Sequence, residues 1–179
     1  MSPGRILCFR PAEAGDAKAV ATMRIAANEK LTRLLGPGPW TRKIHVGSIR
    51  ERIRDADVET LRRSTLFVLS DGDDTLGSVI VSTYSPGFWK QMYWQEGRAH
   101  ALGVFNLVVH PDVQSQGLGK RVMNEVERLA QAHSLAYVRL DAYAFNPYSV
   151  GFYRAIGYDE RAQIDLRGCD LVLFEKRVL

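Results

Sequence analysis

Cysteine is nearly absent from this chain. Cys8 and Cys169 are the only two in 179 residues, far apart in apolar, strand-like segments, and no CxxC pair or His/Cys cluster accompanies them. A disulfide framework and a zinc centre are excluded as organising features; both thiols are expected as reduced core residues, with no metal site. Long apolar runs are missing too. None approaches the roughly 20 residues of a membrane span, and Met1-Ser2-Pro3-Gly4-Arg5 lacks a secretory pattern. Charge of one sign is scarce: 24 basic and 20 acidic residues leave a formal net charge of +4. Basic residues alternate with acids, as in Arg50-Glu51-Arg52-Ile53-Arg54-Asp55. That is a solvated helix face, not a stripe for nucleic acid. These absences point to a cytoplasmic protein with neither nucleic acid nor membrane as partner.

The length is that of one domain, expected to span residues 1–179 and to hold a sizeable core. Ile6 to Arg10 begins as a strand ended by Pro11. Asp16 is placed to cap a helix whose apolar side is Val20, Met23, Ala27, Leu31 and Leu34. Gly36-Pro37-Gly38-Pro39 breaks it. A second helix is predicted from Ile49, Ile53, Val58 and Leu61. Leu66 to Leu69 and Leu76 to Tyr84 form a hairpin about Asp71-Gly72-Asp73-Asp74. Those aspartates lack the glycine and distal glutamate placement of a calcium loop, so a solvated turn is expected. Ser85 to Gly97 is one long irregular segment bearing Phe88, Trp89, Tyr93 and Trp94, either a flap packed on the body or a binding wall. A central strand, a long helix, a strand from Tyr137 to Ala142, a short helix from Tyr148 to Ile156 and two closing strands complete an α/β order with a mixed sheet.

Two segments carry the chemistry. Val104-Phe105-Asn106-Leu107-Val108-Val109 reads as a buried strand ended by His110-Pro111-Asp112. Gln114-Ser115-Gln116-Gly117-Leu118-Gly119 follows and opens a helix, with Leu118, Val122, Val126 and Leu129 on one side and Lys120, Arg121, Glu125 and Arg128 on the other. Unpaired N–H groups at a helix start favour a phosphate, and two glycines let it approach the backbone. This is not a Walker A loop, because Gln114 and Arg121 stand where glycine and Ser or Thr are needed. Nor is it a dinucleotide fingerprint, whose third glycine would fall at Val122. The second segment is Asn146-Pro147-Tyr148-Ser149-Val150-Gly151-Phe152-Tyr153. Asn146 before Pro147 suits a helix N-cap. Ser149, Phe152, Tyr153 and Ile156 share a helical face, so Tyr153 also fits a core position.

Leu107-Val108-Val109-His110-Pro111-Asp112 with Gln114-x-x-Gly117-x-Gly119 resembles the acyl-CoA signature of the GNAT superfamily of N-acetyltransferases. Asn146-Pro147-x-Ser149-x-x-Phe152-Tyr153-x-x-x-Gly157-Tyr158 resembles that superfamily's later segment, in the expected order and separation. The resemblance implies a single GNAT-like α/β domain whose mixed sheet is splayed at its centre and flanked by helices. It implies acetyl-CoA as cosubstrate, with no metal, and a primary amine of a small molecule or peptide as acceptor; a homo-oligomer stays open. The pyrophosphate would rest on the amides of Gln116, Gly117, Leu118 and Gly119, bordered by Gln114, Ser115 and Lys120. Leu107, Val108 and Val109 would hold the pantetheine arm through main-chain groups, and a bulge near Leu107 would turn its N–H toward the thioester oxygen. Asn146 would touch the same arm, and Tyr153 would touch it and protonate the leaving thiolate.

Acceptor binding is expected from aromatic surfaces at Trp40, Trp89 and Trp94. The positions where several relatives carry a Glu or His base are Phe105 and Gly103 here, and His100 and Glu96 lie further upstream, so the base is unassigned. No nucleophilic Cys or Ser argues for a covalent intermediate, which leaves direct attack. The missing base also leaves room for the alternative of a catalytically silent CoA-binding regulatory module.

Overall fold

A computed structural model of the chain describes residues 6–179; the reading made of Met1 to Arg5 lies outside the described residues. Seven strands and four α-helices follow one another as β1 (Leu7–Pro11), α1 (Asp16–Leu35), α2 (Val46–Arg54), β2 (Thr65–Asp71), β3 (Asp74–Ser82), β4 (Ala101–Val109), α3 (Leu118–Ala132), β5 (Tyr137–Tyr143), α4 (Pro147–Ala155), β6 (Asp159–Leu166) and β7 (Cys169–Arg177). Hydrogen bonding links the strands in the order β1-β2-β3-β4-β5-β7-β6. The sheet is mixed. β1 runs antiparallel to β2, β7 is antiparallel to both β5 and β6, and β4 is parallel to β5. A parallel pair needs a crossover, and α3 lies in the chain between its two strands.

The chain divides into two compact units: the described part of Met1–Ile80 with Asn106–Glu125, and Val81–Phe105 with Val126–Leu179. In the first, α1 buries Ala17, Val20, Ala21, Met23 and Ala27, while Leu34 is exposed. Gly15 precedes α1 without a side-chain cap. Asp16 is the first helical residue, and its carboxylate accepts from the Glu13 N–H at 2.7 Å and from Arg10 at 2.7 and 3.0 Å. The α2 helix is shorter than its periodicity predicts. Asp57 takes the Thr60 N–H at 3.0 Å and holds a turn, so Val58 and Leu61 lie beyond the helix, Leu61 fully buried at φ 53°. Side-chain capture of backbone donors competes with helix continuation.

In the second unit β5, β7 and β6 pair along nearly their full lengths. Arg139 on β5 and Glu175 on β7 form a buried ion pair at 2.8 Å, and the same guanidinium donates to the carbonyls of Glu96 and Ala99. The cysteines depart from expectation. Both are free thiols, but Cys8 is exposed on edge strand β1 and Cys169 is half-buried at the start of β7, because each falls at a strand position turned away from the core. Among the described residues no helix is long and apolar enough to cross a membrane, and no cluster of His, Cys, Asp and Glu could hold a metal.

Candidate functional site

Regular pairing between β4 and β5 runs from Ala101 opposite Tyr137 to Val104 opposite Leu140. Two residues further along β4, Asn106 takes a left-handed φ of 50°. A non-glycine residue there turns its peptide planes away from the strand's repeat. Leu107, Val108 and Val109 follow, half-buried, and the His110 N–H closes the strand on the Leu76 carbonyl at 2.8 Å. A 3-10 turn over Pro111–Val113 then reverses the chain.

Gln114 ties this loop down from both ends of its amide. Its Nε2 donates to the Val109 carbonyl at 3.1 Å, and its Oε1 accepts from Lys30 Nζ at 2.7 Å. Ser115 and Gly117 both adopt positive φ, 64° and 78°. No atom lies within 4 Å of where a Gly117 Cβ would stand. The glycine therefore serves the backbone angle and leaves open space in front of it. The Arg121 N–H to Gly117 carbonyl bond at 3.0 Å is the first of α3. The N–H groups of Leu118, Gly119 and Lys120 precede it, so helix geometry offers them no carbonyl. Leu118, Val122, Met123 and Val126 anchor the helix in the core, and Arg121 is paired with Glu125 at 2.9 Å.

The second unit holds Asn146 and Tyr153. Asn146 caps α4 by accepting the Ser149 N–H at 3.3 Å, with Pro147 at the first helical position. Tyr153 is buried, its ring against Phe152, Tyr158 and Phe174. Its hydroxyl has no hydrogen-bond partner among the described residues. Burial, with the nearby Asp141 carboxylate adding to it, pushes the phenol far above its usual range.

Asp141 is a residue the sequence reading missed. It lies on β5, mostly buried, and desolvation raises its pKa from 3.8, opposed by a hydrogen bond from Trp89 Nε1 at 3.0 Å. Trp89 in turn stacks on Phe105 with ring centres 5.3 Å apart. The carboxylate thus stands beside the position where a β4 base is missing. Strand alternation could have shown that Asp141 faces one side of β5, but not which long-range partners it would meet.

Of the three tryptophans expected on an acceptor surface, Trp89 and Trp94 belong to the second unit and Trp40 to the first. Trp89 and Trp94 are 5% and 6% exposed, packed edge to face at 5.5 Å over Leu173. Trp94 also carries the Arg139 guanidinium 4.9 Å above its ring. Trp40, in the first unit, lines a cavity of about 590 Å³ with Ile25, Asn28, Thr32, Arg42 and His45. Gly38 is needed beside it, since a Cβ there would stand 2.7 Å from the indole.

Comparisons with known proteins bear on the family and the fold. The sequence model of the Acetyltransferase (GNAT) family matches residues 38–158. An uncharacterized N-acetyltransferase of Bacillus subtilis (strain 168), YesJ, is 26% identical over 169 residues, covering 94% of this chain and 88% of that protein. Among solved structures, an acetyltransferase of the GNAT family from Listeria monocytogenes 4b F2365 superposes with a TM-score of 0.71 at 16% identity, over 96% of this chain and 94% of the other. The structure of yncA from Salmonella typhimurium, with its cofactor acetyl-CoA, gives 0.65 at 16% identity, over 96% and 94% of the two chains. At such identities the likeness of structures is one of fold.

Proposed function

Since the chain belongs to the GNAT family of acetyltransferases, we propose that residues 1–179 act as one domain that transfers acetyl from acetyl-CoA to a primary amine of a small molecule or peptide by direct attack. The observation that carries this reading is the start of α3: three amides without helical acceptors, reached through a left-handed Gly117 with open space where a side chain would be. That is a cradle for the pyrophosphate, formed by Gln116 to Gly119 and bordered by Ser115 and Lys120. Gln114, already committed to Val109 and Lys30, shapes the loop rather than binding through its side chain. The yncA complex with acetyl-CoA, on the same fold, supports the donor.

The chemistry distributes over named groups. Leu107 to Val109 hold the pantetheine arm through their main chain. The left-handed turn at Asn106 supports a role for the Leu107 N–H, freed from the strand's repeat, as donor to the developing oxyanion. Asp141 receives the proton of the acceptor ammonium, directly or through one water, and Trp89 fixes its carboxylate. The neutral amine nitrogen attacks the thioester carbon, the carbon–sulfur bond breaks, and Tyr153 gives its proton to the departing sulfur. The second proton, left on the amide nitrogen, passes through water to the Tyr153 phenolate and restores the phenol. A buried phenol with a raised pKa keeps that proton until the thiolate forms. Asn146 steadies α4, which presents Tyr153.

The test is release of CoA from acetyl-CoA against a panel of amines, with acetylated products identified by mass spectrometry. Amine-dependent release is expected. Binding of acetyl-CoA without turnover of any amine would leave a donor-binding module instead.

A further inference from the structure

Arg24 lies on α1 with its side chain directed at β3, where its Nε donates to Ser78 Oγ over a long 3.4 Å. Ser78 is fully buried. One terminal nitrogen of the guanidinium, Nη2, is shut off from solvent and has no hydrogen-bond partner. Burial lowers the Arg24 pKa to about 10, and the next cause is the positive charge of Arg52 on α2; no carboxylate offsets either. Arg52 is half-buried and makes no hydrogen bond or ion pair among the described residues.

This arrangement is costly. A buried cation is normally paired, and a buried N–H is normally bonded. Here the positive charge of Arg52 adds to the cost of burial and a donor is left over, at a place with functional neighbours. Residue 77, next to Ser78, runs against β4 so closely that a Cβ there would stand 3.3 Å from the Val108 carbonyl. Val108 belongs to the strand assigned above to the pantetheine arm.

We infer that Arg24 and Arg52 together receive a carboxylate, and that the acceptor is therefore an amine that also bears an acid group. The inference rests on the acetyl-transfer reading and names its substrate class. Arg24 supplies the buried end of the site, with the orphan Nη2 as its donor, and Arg52 supplies the end nearer solvent. Two guanidiniums match a carboxylate's two oxygens with charge-assisted bonds. Arg24 and Arg52 bind, and take no part in the proton transfers.

Malonate is the probe, compared with sodium chloride at equal ionic strength in thermal melts of the full chain. Malonate is expected to raise the wild-type Tm saturably. Arg24→Met should melt above wild type without any ligand, because it removes a charge that has no partner, and should lose the malonate response. Arg52→Gln should keep the basal Tm and weaken the response. No chloride-corrected malonate shift in the wild type, or a full shift retained in Arg24→Met, overturns the site.

Turnover decides where the carboxylate comes from. With acetyl-CoA, amino acids should exceed their amides in kcat/KM by about 100-fold or more, since a site built around a charged partner leaves its donors unpaired when that partner is missing. Arg24→Met should bring the acids down to the level of the amides. Equal use of acids and amides, or a preference for succinyl-CoA over acetyl-CoA with a neutral amine, overturns the acceptor assignment. Acetyl-CoA melts of the same variants separate this from the parent reading: a retained acetyl-CoA shift keeps the donor site whatever malonate does.

Discussion

At the scale of single residues, two groups of the second unit are proposed to carry the proton traffic. Tyr153→Phe keeps the ring against Phe174 and Tyr158 while removing the hydroxyl. Its kcat should fall by about 100-fold with the KM for acetyl-CoA and the Tm unchanged, because general-acid help of that order belongs to the transition state. Steady-state kinetics with a saturating acceptor checks this; an unchanged kcat makes Tyr153 a packing residue. Asp141→Asn preserves an acceptor for Trp89 Nε1 but cannot take a proton. It should lower kcat/KM by about 100-fold and erase the low-pH limb of the profile that belongs to this carboxyl. The stability sign follows from its pKa, raised above 3.8 in the fold. The folded state favours the protonated acid, so that contribution is full below pH 3.8 and is lost as pH rises through the folded value. Asp141→Asn should therefore melt close to wild type at pH 3 and above it at pH 7.

At the scale of elements, the segment between β3 and β4 is built as part of the core. Trp94 lies between Trp89 and the Arg139 guanidinium, and Trp94→Ala would open a cavity. A loss of about 3–5 kcal/mol in chemical unfolding is expected, with the acceptor KM unchanged. A raised KM with the Tm intact would return Trp94 to the acceptor surface. Local patterns foretold elements whose causes are local: α3 from Leu118, Val122 and Val126, and α4 from Asn146 and Pro147. They failed where a distant or competing partner decides. Asp57 ends the run that continues α2 on paper. Local pattern does not choose between packed flap and binding wall for Trp89 and Trp94, because their contacts with Asp141, Phe105 and Leu173 are long-range. Asp141 and Arg24 had no signal that singled them out, because what marks them is burial and the identity of neighbours about fifty residues away.

At the scale of the whole molecule, donor binding should appear as stability. Acetyl-CoA at 100 times its Kd should add about 2.7 kcal/mol, a Tm rise of roughly 5–10 °C for a chain of this size. Gly119→Glu should abolish that rise by setting a carboxylate among amides meant for phosphate, and differential scanning fluorimetry measures both. An unmoved wild-type Tm at millimolar acetyl-CoA would remove the donor site.

The longest irregular stretch of the chain is fastened at successive points: Trp89 to Asp141, the Gln95 N–H to Glu175, Glu96 to Tyr137, and the Glu96 and Ala99 carbonyls to Arg139. A protease needs a length of pliable chain to make a cut, and these bonds deny it that slack. Trypsin should therefore leave Lys90 and Arg98 uncut in the native protein, and the amide of Gln95 should trade its hydrogen for deuterium only when β5 and β7 come apart. Evolution can then change what this stretch presents to solvent, at Met92 or Tyr84, without loosening the sheet below.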